Sequence, residues 1–144
     1  IDPNNKQRYL KLNWNNDDTG FIFGLDTIDQ KKRVYVLEGQ FDSMFIPNSV
    51  AVGSLHWKLI QRHITAEDVV VVLDNEPRNK TTKDSVDSAI SNGYNVCIWP
   101  STIAEKDIND MVVAGREPAD IRAIIDNNTF SGLKAKLAFS VWAK

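Results

Sequence analysis

The stretch Val34-Tyr35-Val36-Leu37-Glu38-Gly39-Gln40-Phe41-Asp42-Ser43 decides the fold. Its first four residues are apolar, β-branched or aromatic, with no polar break. That is the signature of a buried strand. Lys31-Lys32-Arg33 in front of it forms a polar strand entrance. After the carboxylate of Glu38, Gly39 marks a backbone shape, or a close approach, that a Cβ would forbid. Asp42 and Ser43 are of the type that caps a following short helix through Met44, Phe45 and Ile46. A second run, Val69-Val70-Val71-Val72-Leu73, ends the same way in Asp74-Asn75-Glu76. Two buried strands thus each deliver acid to a carboxyl end, the edge where open α/β sheets bind ligands.

Outward from these strands the chain alternates. Leu10, Leu12 and Trp14 alternate with Lys11 and Asn13 as in a half-buried strand. A turn over residues 15–20 and a strand over 21–23 complete a small N-terminal β-hairpin. Residues 24–30 are a connection. Residues 49–52 form a third strand, ending at Gly53. A helix over 55–63 has Ser54 as its cap, and another spans 82–92 with Gly93 closing it. Residues 96–99 are a fourth strand, stopped by Pro100. Short helices follow over 107–114 and 118–126. A last helix opens at Ser131 or Gly132, with Leu133, Leu137 and Val141 at i, i+4, i+8; it is expected to pack on the sheet through this side, or to dock a partner, with Phe139 and Trp142 near the terminus as an interaction face. Strand alternating with helix implies an α/β fold, a central parallel sheet flanked by helices. Right-handed crossovers put Glu38, Gly53, Asp74 and Pro100 on one shared edge. The expected organisation is an N-terminal β segment over 1–30, a core over 31–125 and a C-terminal helical extension over 126–144.

Composition narrows the chemistry. The chain has 144 residues, 42% of them hydrophobic and 25% charged, which suits one globular domain. No apolar run reaches the roughly 20 residues of a membrane helix. The polar start, Ile1-Asp2-Pro3-Asn4, reads as no secretory signal, and without an initiating Met it reads as a piece of a longer chain. A net charge of −2 argues against nucleic-acid binding driven by global positive charge, though a local basic strip fits it. One cysteine, Cys97, excludes an intrachain disulfide. With only His56 and His63 besides, a zinc site lacks ligands. A hard cation held by carboxylates, Mg²⁺ or Mn²⁺, is the metal these residue types suit.

Three acidic groups fall on the shared edge: Glu38 with Asp42, Asp74 with Glu76, and Asp107 with Asp110 in Lys106-Asp107-Ile108-Asn109-Asp110. Carboxylates gathered this way repel one another unless a cation sits among them. The chemistry that uses such a cluster is phosphoryl or nucleotidyl transfer. Taken alone, Asp74 and Glu76, or Asp107 and Asp110, also read as acids at helix starts. The basic residues Lys31, Lys32, Arg33, Arg78 and Lys80 are candidates to contact nucleic-acid or nucleotide phosphates, or are simply solvated. Cys97 reads as a core residue. Trp14, Trp57, Trp99 and Trp142 suit base stacking or, more simply, burial.

Glu38-Gly39-x-x-Asp42, then Asp74-x-Glu76, then Lys106-Asp107-x-Asn109-Asp110 resembles the three-part signature of the toprim domain. The resemblance covers residues 31–115. The wider text, Val36 through Ser49 and Leu73 through Lys80, is similar to the DNA primases of T-even-like phages, extending to residues 129–133. The resemblance implies a toprim-type, Rossmann-like fold. It implies primer synthesis: metal-dependent joining of ribonucleoside triphosphates into short RNA on a single-stranded DNA template, in the cytoplasm of a host cell. It implies Glu38 as general acid or base, Asp74 and Glu76 holding the principal Mg²⁺, Asp107 with Asp42 and Asp110 supporting a second, and Lys106 offsetting charge or touching phosphate. A replicative helicase would be a partner, and a zinc-binding module would lie elsewhere in a longer chain. The chain departs from the usual pattern in having Glu76 where Asp is the rule, and Pro77-Arg78-Asn79-Lys80 where a glycine-containing helix start is common. Rival readings are a toprim nuclease with the same metals, a non-catalytic docking module for a helicase, and a phosphate-accepting receiver domain, which leaves Glu38-Gly39 without a role.

Overall fold

The computed structural model describes residues 22–53 and 55–144. The expected strand over residues 8–14, the turn after it and the expected cap at Ser54 lie outside the described residues. Among the described residues six strands form one sheet: β1 (Ile22–Phe23), β2 (Val34–Leu37), β3 (Ser49–Val52), β4 (Val69–Val72), β5 (Asn95–Cys97) and β6 (Thr129–Phe130). Their spatial order is β1-β3-β2-β4-β5-β6. The four inner strands are parallel, as expected, with Tyr35 opposite Ser49 and Val70, and Val71 opposite Val96. The outer strands are antiparallel: Ile22 pairs with Val52, and Phe130 with Val96. Each outer strand has two residues, too short for its sequence to announce it.

The inner strands are buried on both faces because helices cover both. On one face Tyr35, Leu37, Val70, Val72, Cys97 and Trp99 pack against α4 (Ile108–Val113) and α5 (Pro118–Asn127) through Ile108, Met111, Ile121 and Ile125. On the other, the alternate residues Val34, Val36, Val71 and Val96 meet α2 (Trp57–His63), α3 (Lys80–Ser91) and α6 (Gly132–Trp142). Cys97 is fully buried and its thiol is pushed upward in pKa by that burial, as suits a core residue. Trp57 stacks on Tyr94, and the indole of buried Trp99 donates to Leu73 O at 2.8 Å.

Three local expectations are corrected. Helix α1 is Gln40–Ser43, begun at Gly39, so Asp42 lies within it rather than capping a helix through residues 44–46. The reason is that the Asp42 carboxylate turns to another helix, accepting from the Asn109 N–H at 2.8 Å. Helix α3 starts at Lys80, earlier than expected, because the Asn79 side chain caps it, accepting from the Thr81 and Thr82 N–H groups. On α6 the stripe Leu133, Leu137 and Val141 is 73, 60 and 68% exposed, while buried Ala135 and the half-buried Phe139 and Trp142 face the core. The helix is apolar on several sides, so its spacing alone sets no phase. The small Ala135 is what permits close approach.

At the amino ends of the strands a polar network staples sheet to helix. Arg33 reaches Asp68 at 2.8 Å and Asp126 at 3.0 Å, and Tyr35 Oη donates to Asp126 Oδ1 at 2.6 Å. Arg122 lies over the Tyr35 ring.

Candidate active site

All four parallel strands run to one edge, and the acids gather there. A small cleft of about 10 Å³ is lined by Glu38, Asp42, Asp74 and Asp107, with Leu37, Val72, Leu73, Trp99 and Ile108 as its floor. That is room for about one water-sized occupant. Glu38 follows β2 directly, and Asp74 lies just beyond β4. Asp42 projects from α1, and Asp107 caps α4, accepting from the Asp110 N–H at 2.8 Å.

Local sequence explains the placement. At Gly39 the backbone is ordinary, with φ −91°, so the glycine is there for room rather than conformation. A Cβ at Gly39 would overlap the Asp42 carboxylate. Of the two reasons for a glycine given above, close approach is the one that operates. Glu76 is turned into position by Thr82, whose hydroxyl lies 3.2 Å from Oε2. Its other oxygen is 3.5 Å from Lys106 Nζ, which also lies 4.0 Å from Asp74.

The electrostatics are those of crowded, half-desolvated carboxylates. Burial, then the charges of Glu38, Asp42 and Asp107, push Asp74 from 3.8 up to about 7. Glu38 is raised by burial and by Glu76, with the Asp74 backbone N–H as partial compensation. Asp42 is raised by burial and by Asp107 and Asp110, against the Asn109 N–H. Lys106 is raised by Glu76 and Asp74, the response of a cation among anions.

Glu38, Asp42, Asp74 and Asp107 therefore share one cleft, with Glu76 and Lys106 at its rim. Asp110 is exposed on the first turn of α4 and acts on Asp42 through its charge. Arg78 and Lys80 are exposed beyond Glu76, and Lys80 is paired with Asp84 at 2.6 Å. Lys31, Lys32 and Arg33 stand at the opposite end of β2 from the acids. Arg33 is committed there to Asp68 and Asp126, and Lys32 lies 3.7 Å from Asp29. The donor set is all oxygen, which suits a hard cation. Among the described residues, no three carboxylate, His or Cys side chains are already gathered as a metal cage.

A residue the sequence did not flag, Asn75, and one it flagged for stacking or burial, Trp142, complete the site. Asn75, between the two acids of its motif, donates through Nδ2 to Ile103 O and Glu105 O at 3.0 and 3.1 Å. Trp142 Nε1 donates to Asn75 Oδ1 at 3.0 Å. A polar residue flanked by two acids was the one available signal. Among the described residues no helix is long and apolar enough to cross a membrane.

No protein-family model matches the chain. The chain is 36% identical over 127 residues to the DNA primase of Enterobacteria phage T4. The match covers 85% of this chain and 36% of that protein, so the chain spans about a third of its relative's length. Over most of its length, then, this α/β chain with its acid-lined edge is similar to part of a phage DNA primase.

Proposed function

We propose that the cleft is the catalytic centre of a toprim-type primase, joining ribonucleoside triphosphates into short primers on single-stranded DNA. One observation carries the reading: four carboxylates from three separate segments line a cleft of one-ion size, with Asp74 driven up to about 7. A fold has no structural use for such repulsion, and a bound cation would relieve it. Asp74 and Glu76, with Asp107 and the supporting Asp42 and Asp110, would hold Mg²⁺, water completing a shell that needs few protein ligands. When bound, the cation would lower the pKa of an attacking hydroxyl and neutralise phosphate charge.

The chain's own residues do the rest. Glu38, with its proton affinity raised by burial, is suited to take a proton from a primer 3′-hydroxyl. Lys106, exposed at the rim, meets the triphosphate. Arg78 and Lys80 lie on the same side for the nucleotide or template backbone. The similarity to a phage primase supports this reading and suggests the host cytoplasm as the setting, with a replicative helicase and a zinc-binding module as partners.

The test is Mn²⁺ titration followed by backbone NMR, on this chain and on an Asp74→Asn, Glu76→Gln variant, alongside incubation with ribonucleotides and single-stranded DNA. Selective broadening around Glu38, Asp74 and Asp107, lost in the variant, together with short ribonucleotide products, supports the proposal. Cleavage of the DNA instead would identify a nuclease. Broadening scattered over surface acids and unchanged in the variant would overturn the catalytic reading.

A further inference from the structure

Asn75 is the hub from which the third acidic segment hangs. Its backbone N–H donates to Lys106 O at 2.6 Å, and its Nδ2 donates to Ile103 O and Glu105 O. Three hydrogen bonds from one residue thus hold residues 103–106, immediately before Asp107. A side-chain amide has two faces, one donating and one accepting, and nothing within Asn75 decides which way they point. Trp142 decides it. An indole N–H can only donate, so it holds Oδ1 toward α6 and leaves Nδ2 facing the two carbonyls. Trp142 is itself set by packing against Phe139 and the core.

We propose that Asn75 is a positioning residue for Lys106 and Asp107, and that Trp142 on the last helix is the clamp that orients it. The inference rests on the reading of the acidic cleft as the reactive site. In consequence, the geometry of the third acidic segment depends on a helix that supplies no residue to the cleft.

The experiment uses Trp142→Phe, which keeps an aromatic ring against Phe139 and removes the N–H together with part of the indole ring. The readout is amide hydrogen exchange at Asn75, whose N–H makes the bond to Lys106 O. Loss of one hydrogen bond to a half-buried amide should accelerate that exchange roughly tenfold. Amides of the central strand, such as Val71, should hold their protection, and Mn²⁺ affinity should fall several-fold. Asn75→Leu, which removes all the side-chain bonds to the loop, should move the same readouts further. Unchanged Asn75 exchange in both variants overturns the proposal. So does uniform acceleration of every amide, which would mean a purely global role. Selective acceleration at Asn75 in a protein that binds no Mn²⁺ at the cleft would uphold the clamp and sink the metal reading, so the two failures are distinguishable.

Discussion

Gly39 and Asp42 share a space that only a glycine leaves open: the Asp42 carboxylate occupies the position a Gly39 side chain would take. The three-residue spacing brings the helical turn of α1 back over its own start, and the Asn109 N–H fixes the carboxylate there. Gly39→Ala should therefore push Asp42 off Asn109. Overpacking of this kind costs about 1–3 kcal/mol. Urea unfolding should register that loss, and Mn²⁺ affinity should drop more steeply than stability alone explains. Unaltered affinity would refute the steric account.

The pH dependence of stability should be inverted relative to an ordinary carboxylate-rich protein. Asp74 is raised from 3.8 to about 7 by burial and then by its acidic neighbours. The folded state therefore binds a proton that the unfolded state has already released between those values. The stability this contributes is fully present below about pH 4 and is lost as pH rises through about 7. Glu38 and Asp42, also raised, act in the same direction. Denaturation curves in chelator across that range should show declining stability for the wild type and a flatter profile for Asp74→Asn. Added Mg²⁺ should flatten the wild-type profile as well.

Asp107 has two duties that one substitution separates. As cap of α4 it accepts from the Asp110 N–H, and as an acid it lines the cleft. Asparagine caps about as well as aspartate, whereas alanine forfeits about 1 kcal/mol. Asp107→Asn should melt like the wild type yet bind Mn²⁺ weakly. Asp107→Ala should lose both. Equal Mn²⁺ affinity in Asp107→Asn and the wild type would remove Asp107 from the ligand set.

Lys106 offsets the charge of Asp74 and Glu76 from an exposed position. Lys106→Gln should leave the fold intact and raise the Asp74 pKa further. If the lysine meets phosphate, primer synthesis should fall roughly 100- to 1,000-fold. Full activity in the variant would confine Lys106 to charge balance.

At the far end of β2, Tyr35→Phe should cost about 1 kcal/mol, the value of its bond to Asp126. Mn²⁺ binding should be untouched. Arg33→Ala should likewise weaken the fold through Asp68 and Asp126 without changing the salt dependence of DNA binding. A reduced salt slope would restore Arg33 as a nucleic-acid contact.

Much of this architecture is written in local patterns. Unbroken runs such as residues 69–73 read as strands buried on both faces, and the handedness of crossovers then carries Glu38, Asp74 and Asp107 to one edge. What was illegible has physical causes. Two-residue strands such as Thr129–Phe130 have no period to detect. Asp42 looks like a cap because cap and interhelix acceptor call for the same side chain. Leu133, Leu137 and Val141 mark a stripe without saying whether it faces in. Asn75 is a common residue whose importance lies in three backbone partners, none of which leaves a mark on its own sequence neighbourhood.

The bond from Asn109 to Asp42 and the bond from Trp142 to Asn75 each join residues 67 positions apart. At about 5–20 residues per second of synthesis, each early partner waits about 3–13 s for its late one to be made. The inner strands can pair as they emerge, but the acidic edge acquires its final shape only when α6 docks. Until residue 142 is made the Trp142–Asn75 bond cannot form, and the crowded carboxylates are held only by the partners already synthesised. Self-repulsion that would burden an early folding step is deferred until the rest of the molecule is able to hold it.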